Sequence, residues 1–168
     1  MAIVDGKPVI YQPIQFKGMG KIILSGTAKF GFSSSPDFYS GYSYIEVRNK
    51  NSIIKIGNNF WANNNLSIIS EAEGVEIGDN VLIGSNVEIL DSDFHPLDPN
   101  SRIGGSPKTG KVIIGNNVFI GNNAVILRGV RIGDNSVIAN NSLVSSKIPP
   151  NVVAGGNPCL ILKKINVE

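Results

Sequence analysis

Three residue types are nearly missing from this 168-residue chain, which has one cysteine, one histidine and one tryptophan. A lone Cys159 excludes an intrachain disulfide and points to a reducing compartment, so a cytoplasmic location is expected. A lone His95 excludes a catalytic zinc site built on three histidines. Asp91, Asp93 and Asp98 lie close to it, but without the spacing of a Ca²⁺ loop, and no metal is expected. Charge is also sparse. A net charge of +2 is too small to favour nucleic acid or an anionic membrane as partner. No apolar run approaches the ~20 residues of a spanning helix, so no membrane insertion is expected. Met1 to Lys7 lack the basic-then-apolar form of a secretion signal.

Asparagine and glycine, by contrast, are abundant, with 20 and 19 residues. They punctuate a strict period of six. Ile114, Ile120, Ile126, Ile132, Ile138 and Val144 recur every six residues, each with a small or apolar residue two positions ahead. The same register runs over Ile77, Ile83 and Ile89, and more weakly over Ile56, Ala62 and Ile68. A strand alternates by two and a helix by three and four, so a period of six means short strands joined by equivalent corners. That is a hexapeptide β-solenoid, about eighteen residues per triangular coil. The corners are predicted at Asn58-Asn59, Asp79-Asn80, Asn116-Asn117, Asn122-Asn123, Asp134-Asn135 and Asn140-Asn141. These residue types tolerate positive φ and hydrogen-bond nearby backbone. The period does not set the hand of the coil. A single domain over 1–168 is expected, with divergent coils over 1–53, regular hexads over 54–147 and a C-terminal cap over 148–168.

One long interruption breaks the register, from Asp91 to Lys111, and its prolines and glycines exclude regular structure. Long insertions in compact repeats usually carry function. This one holds His95. A neutral imidazole can take a proton from a hydroxyl, so His95 is a candidate general base. The residues alone leave open that it is simply a solvated loop side chain.

Several segments in order resemble a known family: Phe60 to Leu66, Ile77 to Gly84, Asp93 to Asp98, Ile132 to Ile138 and Ile148 to Pro158. Together they resemble the hexapeptide-repeat sugar O-acetyltransferases of the maltose and galactoside acetyltransferase group. The resemblance implies an all-β, left-handed parallel β-helix with an extended loop at 91–111 and a short C-terminal tail. It also implies a homotrimer with acetyl-CoA lying between neighbouring subunits. By resemblance His95 and Asn63 are catalytic, and the backbone amide of Asn122 is the candidate donor to a tetrahedral oxyanion. Trp61 and Asp93 fall at the acceptor, with Asp93 a candidate to orient the imidazole. Phe119, Asn122, Asn140, Ser145, Ser146, Lys147 and Lys163 fall at the coenzyme. Phe119 stands where the family usually carries tryptophan, Asn140 replaces a small residue, and Ser145-Ser146 replaces a threonine–lysine pair.

The N-terminal third departs furthest. A helical acceptor-binding segment is replaced by early solenoid pattern at Ile22, Leu24, Ala28 and Phe30. Ten of the twelve aromatic residues precede Ala62. They suit stacking on a sugar, and equally well a plug for the open end or a subunit seam. The expected activity is O-acetylation of a sugar or surface-polysaccharide precursor. The rivals are an antibiotic or amino-sugar acetyltransferase, or a non-catalytic β-helix.

Overall fold

The computed structural model describes residues 1–166, and the last two positions of the expected 148–168 cap lie outside them. Every regular element among these residues is a strand, and no helix is long and apolar enough to cross a membrane. Three sheets form the sides of a prism. Sheet I stacks Ile3–Asp5, Lys21–Leu24, Ile53–Ile56, Val75–Ile77, Val112–Ile114 and Arg131–Ile132. Sheet II stacks Val9–Ile10, Ala28–Phe30, Phe60–Ala62, Leu82–Ile83, Phe119–Ile120, Val137–Ile138 and Val152–Gly155. Leu160–Lys164 then returns antiparallel along the last of these. Sheet III stacks Ile14–Gly18, Ser43–Val47, Ser67–Ser70, Glu88–Leu90, Val125–Ile126 and Leu143–Val144. Apart from that terminal return, all strand pairing is parallel.

The period of six is what builds the core. Because each hexad repeats its register, like residues stack: Ile56 on Ile77, Ile114 and Ile132 in sheet I, and Ile68 on Ile89 and Ile126 in sheet III. All are buried, and each contributes about 1.5–3 kcal/mol. The coils begin at Ile3, and Ile22, Leu24, Ala28 and Phe30 are indeed inward. In these early coils large and small residues alternate. Ala28 pairs with Phe60, and Phe30 with Ala62, so each ring fills the space a neighbouring alanine leaves.

Corners follow the asparagine code. Asn59, Asn65, Asn80, Asn86, Asn117, Asn123, Asn135 and Asn141 all have positive φ, between 53° and 62°. Just before each such residue at the I/II corner stands an Asx whose Oδ1 accepts from the coil before it. Asn58 N donates to Asp79, Asp79 N to Asn116, and Asn116 N to Asp134, at 2.7–2.8 Å. A glycine faces each acceptor because a Cβ on Gly78 or Gly115 would lie 2.5 or 2.2 Å from that oxygen. The II/III corner repeats the device, and an irregular loop over 31–42 also springs from it. The III/I corner does not repeat it, and the 91–111 excursion leaves from there with only an isolated bridge between Ser92 and Thr109.

Candidate active site

The excursion is an arm with a rigid foot. Asp91 is fully buried, and its carboxylate accepts from Ser70 Oγ at 2.9 Å, Glu71 N at 2.6 Å and Gly74 N at 2.7 Å. Oriented donors replace a counter-ion here. The carbonyl of Asp91 accepts from Gly110 N, whose own carbonyl accepts from Gly129 N, each at 2.8 Å. One step further out, Ser92 Oγ bonds Glu71 Oε2 and Asp93 N donates to Lys108 O. The two ends of the arm are thereby stitched together and to the coil below.

His95 sits where the arm leaves this foot. Phe94 has a φ of 59°, and His95 N donates across it to Asp93 O at 2.7 Å. That is a γ-turn centred on a residue at positive φ, the rarer and strained form, which ordinary loops avoid. The Phe94 ring is held under the Arg48 guanidinium at 4.6 Å, and Arg48 is in turn paired with Glu46. The imidazole is exposed, and its Nδ1 lies 3.2 Å from the Arg102 carbonyl oxygen. A carbonyl only accepts, so Nδ1 carries the hydrogen, and Nε2 of the neutral ring presents a lone pair. This corrects the expectation that Asp93 orients the ring. The Asp93 carboxylate is paired with Arg128 Nε at 2.7 Å.

A second group of the expected residues lies on sheet II and the II/III corner. Trp61, Leu82, Phe119 and Val137 follow one another in register along the outer face of sheet II. Asn63 follows Trp61 and is not itself a left-handed corner residue, a role that falls to Asn65. Its Nδ2 donates to Ser35 Oγ at 2.9 Å, and its Oδ1 accepts from Asn64 N at 2.7 Å. With Phe32, Trp61, Leu82 and Ile83 it lines an open hollow of about 230 Å³. Asn122 and Asn140 lie on the same corner, one coil apart, and here the structure corrects another expectation. The Asn122 N–H is already bonded to Asn140 Oδ1 at 2.9 Å, so it is no free oxyanion donor. The last step of that ladder is open: no partner for the Asn140 N–H occurs among the described residues.

The expected residues therefore fall into two groups at different corners. Trp61, Asn63, Phe119, Asn122 and Asn140 occupy sheet II and the II/III corner, and Lys163 pairs with Val153 on the same sheet. Asp93, His95, Ser145, Ser146 and Lys147 occupy the III/I corner. Sheet III separates them by a strand of 4 residues, Ser67–Ser70, which at ~3.3 Å per residue is roughly 13 Å. Sequence reasoning missed the arm's partners Arg102, Arg128, Arg48 and the foot of Asp91, because none of them carries a motif. It also missed the 31–42 loop that covers Asn63, for which the triplet Asn63-Asn64-Asn65, where other corners have a pair, was a signal. Cys159 is buried, and burial pushes its thiol pKa up, so it is a packing residue and no nucleophile.

Comparison with known proteins fits this architecture. Residues 111–146 match the bacterial transferase hexapeptide family of six repeats, and 65–90 match the hexapeptide repeat of succinyl-transferase. The chain is 50% identical over 113 residues to the galactoside O-acetyltransferase of Escherichia coli, covering 67% of this chain and 55% of that enzyme. It is 46% identical over 142 residues to a putative acetyltransferase of Saccharomyces cerevisiae, covering 84% of this chain and 67% of the relative. Among solved structures, a galactoside acetyltransferase in complex with coenzyme A superposes with a TM-score of 0.68 at 40% identity, over 85% of this chain and 64% of that one. The chain thus spans little more than half to two thirds of the length of these relatives. The coil is the left-handed parallel β-helix, and the chain belongs to the hexapeptide-repeat acetyltransferase family.

Proposed function

We propose that this chain, as one domain, transfers the acetyl group of acetyl-CoA to a hydroxyl of a sugar or surface-polysaccharide precursor, with His95 as general base. The single observation that carries this reading is the contact between His95 Nδ1 and the Arg102 carbonyl oxygen. With Nδ1 committed to the Arg102 carbonyl, Nε2 takes the proton as the hydroxyl oxygen attacks the thioester carbonyl. The tetrahedral intermediate then collapses, the C–S bond breaks, and the proton passes from His95 to the departing coenzyme thiolate. The relatives named above support the chemistry, as one is a galactoside O-acetyltransferase and another acetyltransferase is solved with coenzyme A.

The site is completed between copies. Asn63 and His95 stand at opposite edges of sheet III, so the III/I corner of one subunit must face the II/III corner of the next. A homotrimer of parallel prisms brings all three such pairs together. The arm's tip supports this, since Leu97 and Ile103 are 73% and 97% exposed, apolar side chains with nothing of their own chain to cover them. Within that interface Asn63 positions acceptor or thioester, and Trp61 and Asp93 lie on the acceptor side. Phe119, Asn140 through its open N–H, Ser145, Ser146, Lys147 and Lys163 line the coenzyme's course.

Isothermal titration of coenzyme A into the purified protein tests the reading before any acceptor is known. Micromolar binding near one site per chain, retained in His95→Ala while acetyl transfer falls by about 10²–10⁴, is the expected result. Absence of binding would leave a non-catalytic β-helix.

A further inference from the structure

We infer that the acceptor site extends beyond Asn63 into a second sugar-binding hollow, and that the acceptor is an uncharged chain of at least two sugar rings. This rests on the acetyltransferase reading for the place of the reacting hydroxyl. Two hollows lie side by side at the junction of sheet II and the 31–42 loop. The first, about 230 Å³, contains Asn63. The second, about 190 Å³, is lined by Tyr11, Phe32, Ser33 and Trp61. Phe32 and Trp61 belong to both and stand edge to face, with centroids 5.9 Å apart and an interplanar angle of 79°. They form a partition with a ring-sized space on each side.

These rings are not loose surface residues. Tyr11, Phe32 and Trp61 are 52%, 43% and 37% exposed, and the backbone of Tyr11 is held by its N–H, which donates to the Phe30 carbonyl at 2.8 Å. The backbone N–H of Phe32 donates to Asn64 Oδ1 and its carbonyl accepts from Asn64 Nδ2, at 2.9 and 3.1 Å, and Asn64 is fully buried. Gln12, next to Tyr11, is also fully buried, and joins Asp37 O, Asn65 Oδ1 and Asn65 N. The Trp61 indole N–H reaches Gly31 O at 3.4 Å, and Lys29 Nζ sits 4.8 Å from its ring centroid. Two buried amides thus fix the backbone that carries Phe32 and adjoins Tyr11. Buried amides whose hydrogen bonds are all satisfied rigidify the segments they join, and rigid rings bind at little cost in conformational entropy. Aromatic faces beside hydroxyl and amide groups (Ser33, Ser35, Asn63) match a pyranose, with its apolar C–H face and polar rim. No charged side chain is among the residues that line either hollow, so nothing in the lining selects for a charged sugar. The order of residues sets the polarity: the reacting ring lies by Asn63, the next by Tyr11.

Trp61 is the only tryptophan in the chain, so its fluorescence reports both hollows without turnover or coenzyme. Lactose, cellobiose, maltose and maltotriose would be titrated against galactose and glucose. A saturable change with at least one of the longer sugars, at roughly tenfold lower concentration than its single-ring counterpart, is expected. Tyr11→Ala should abolish that tenfold advantage, and Tyr11→Phe should keep most of it. The coenzyme A titration of both variants confirms folding and reports separately on the acetyltransferase reading. Equal affinity for one and two rings, or no saturable change with any sugar, would overturn the proposal. So would a Tyr11→Ala variant that alters oligomeric state and leaves the sugar titration unchanged, since the rings then belong to the subunit seam.

Discussion

The II/III and III/I corners are made by the same hexads, and they use them in opposite ways. At II/III the chain turns tightly on asparagine, and Asn64, Asn122 and Asn140 lend their side-chain oxygens to the backbone of an adjacent coil. At III/I the ladder is missing, and the chain detours through 91–111. The tight corner offers a fixed surface, with one unspent N–H at Asn140 and an aromatic hollow beside Asn63. The open corner offers reach, carrying His95 on an arm that is rigid at its foot and apolar at its tip. In the proposed function neither corner is an active site alone, and neighbouring copies bring the fixed surface and the reaching arm together.

The strongest way to break this comparison is to separate its halves. Asn63→Ala and His95→Ala chains should each be inactive as homotrimers. Unfolded together in equal amounts and reassembled, they should regain roughly a quarter of the wild-type transfer rate, since one interface in four pairs an intact asparagine with an intact histidine. No recovery in an activity assay would place the whole site within one chain. Next in size is the foot of the arm. Asp91→Ala leaves several buried N–H donors without an acceptor, and should cost about 3 kcal/mol or more in urea denaturation. Asn140→Ala addresses the tight corner. It should free the Asn122 N–H and cost about 1 kcal/mol or less of stability in urea denaturation.

The smallest effect lies on sheet I, away from both corners. The Lys111 ammonium, hydrogen-bonded to Glu76 and helped by Lys55, holds the Glu76 carboxyl below its ordinary pKa against the opposing effect of burial. A depressed folded pKa adds stability above the unfolded value, and that stability is lost as pH falls through the folded value. Glu76 is a third exposed and screened, so Glu76→Gln should cost only a few tenths of a kcal/mol at neutral pH, fading in acid. Thermal melts across the acid range would measure it.

Much of the fold could be read from residues that touch their own images. Ile77 predicts Ile56 and Ile114 because each inward position meets an equivalent one in the next coil, and the corner pairs reach φ values near 55° as asparagine allows. The candidate site was legible only where a residue type announced itself: His95 by being the one histidine, Asn63 by its place in a family motif. Its surroundings were not. Arg102 reaches His95 through a backbone carbonyl, which any residue could supply. Asp93 sat close in sequence to His95 and turned to Arg128, far along the chain, which no local pattern signals. Asn140 was expected at a backbone contact to the coenzyme, and no pattern announced that its side chain caps Asn122.

What the sequence by itself determined is the coil, since a repeat of six dictates strand, corner and core wherever it recurs, each coil needing only its neighbours. Only the tertiary structure decided which corner carries each group of candidate residues, which imidazole nitrogen meets the Arg102 carbonyl, and where the exposed rings gather. Those outcomes depend on contacts between segments with no shared period, where distance in space is unrelated to distance along the chain.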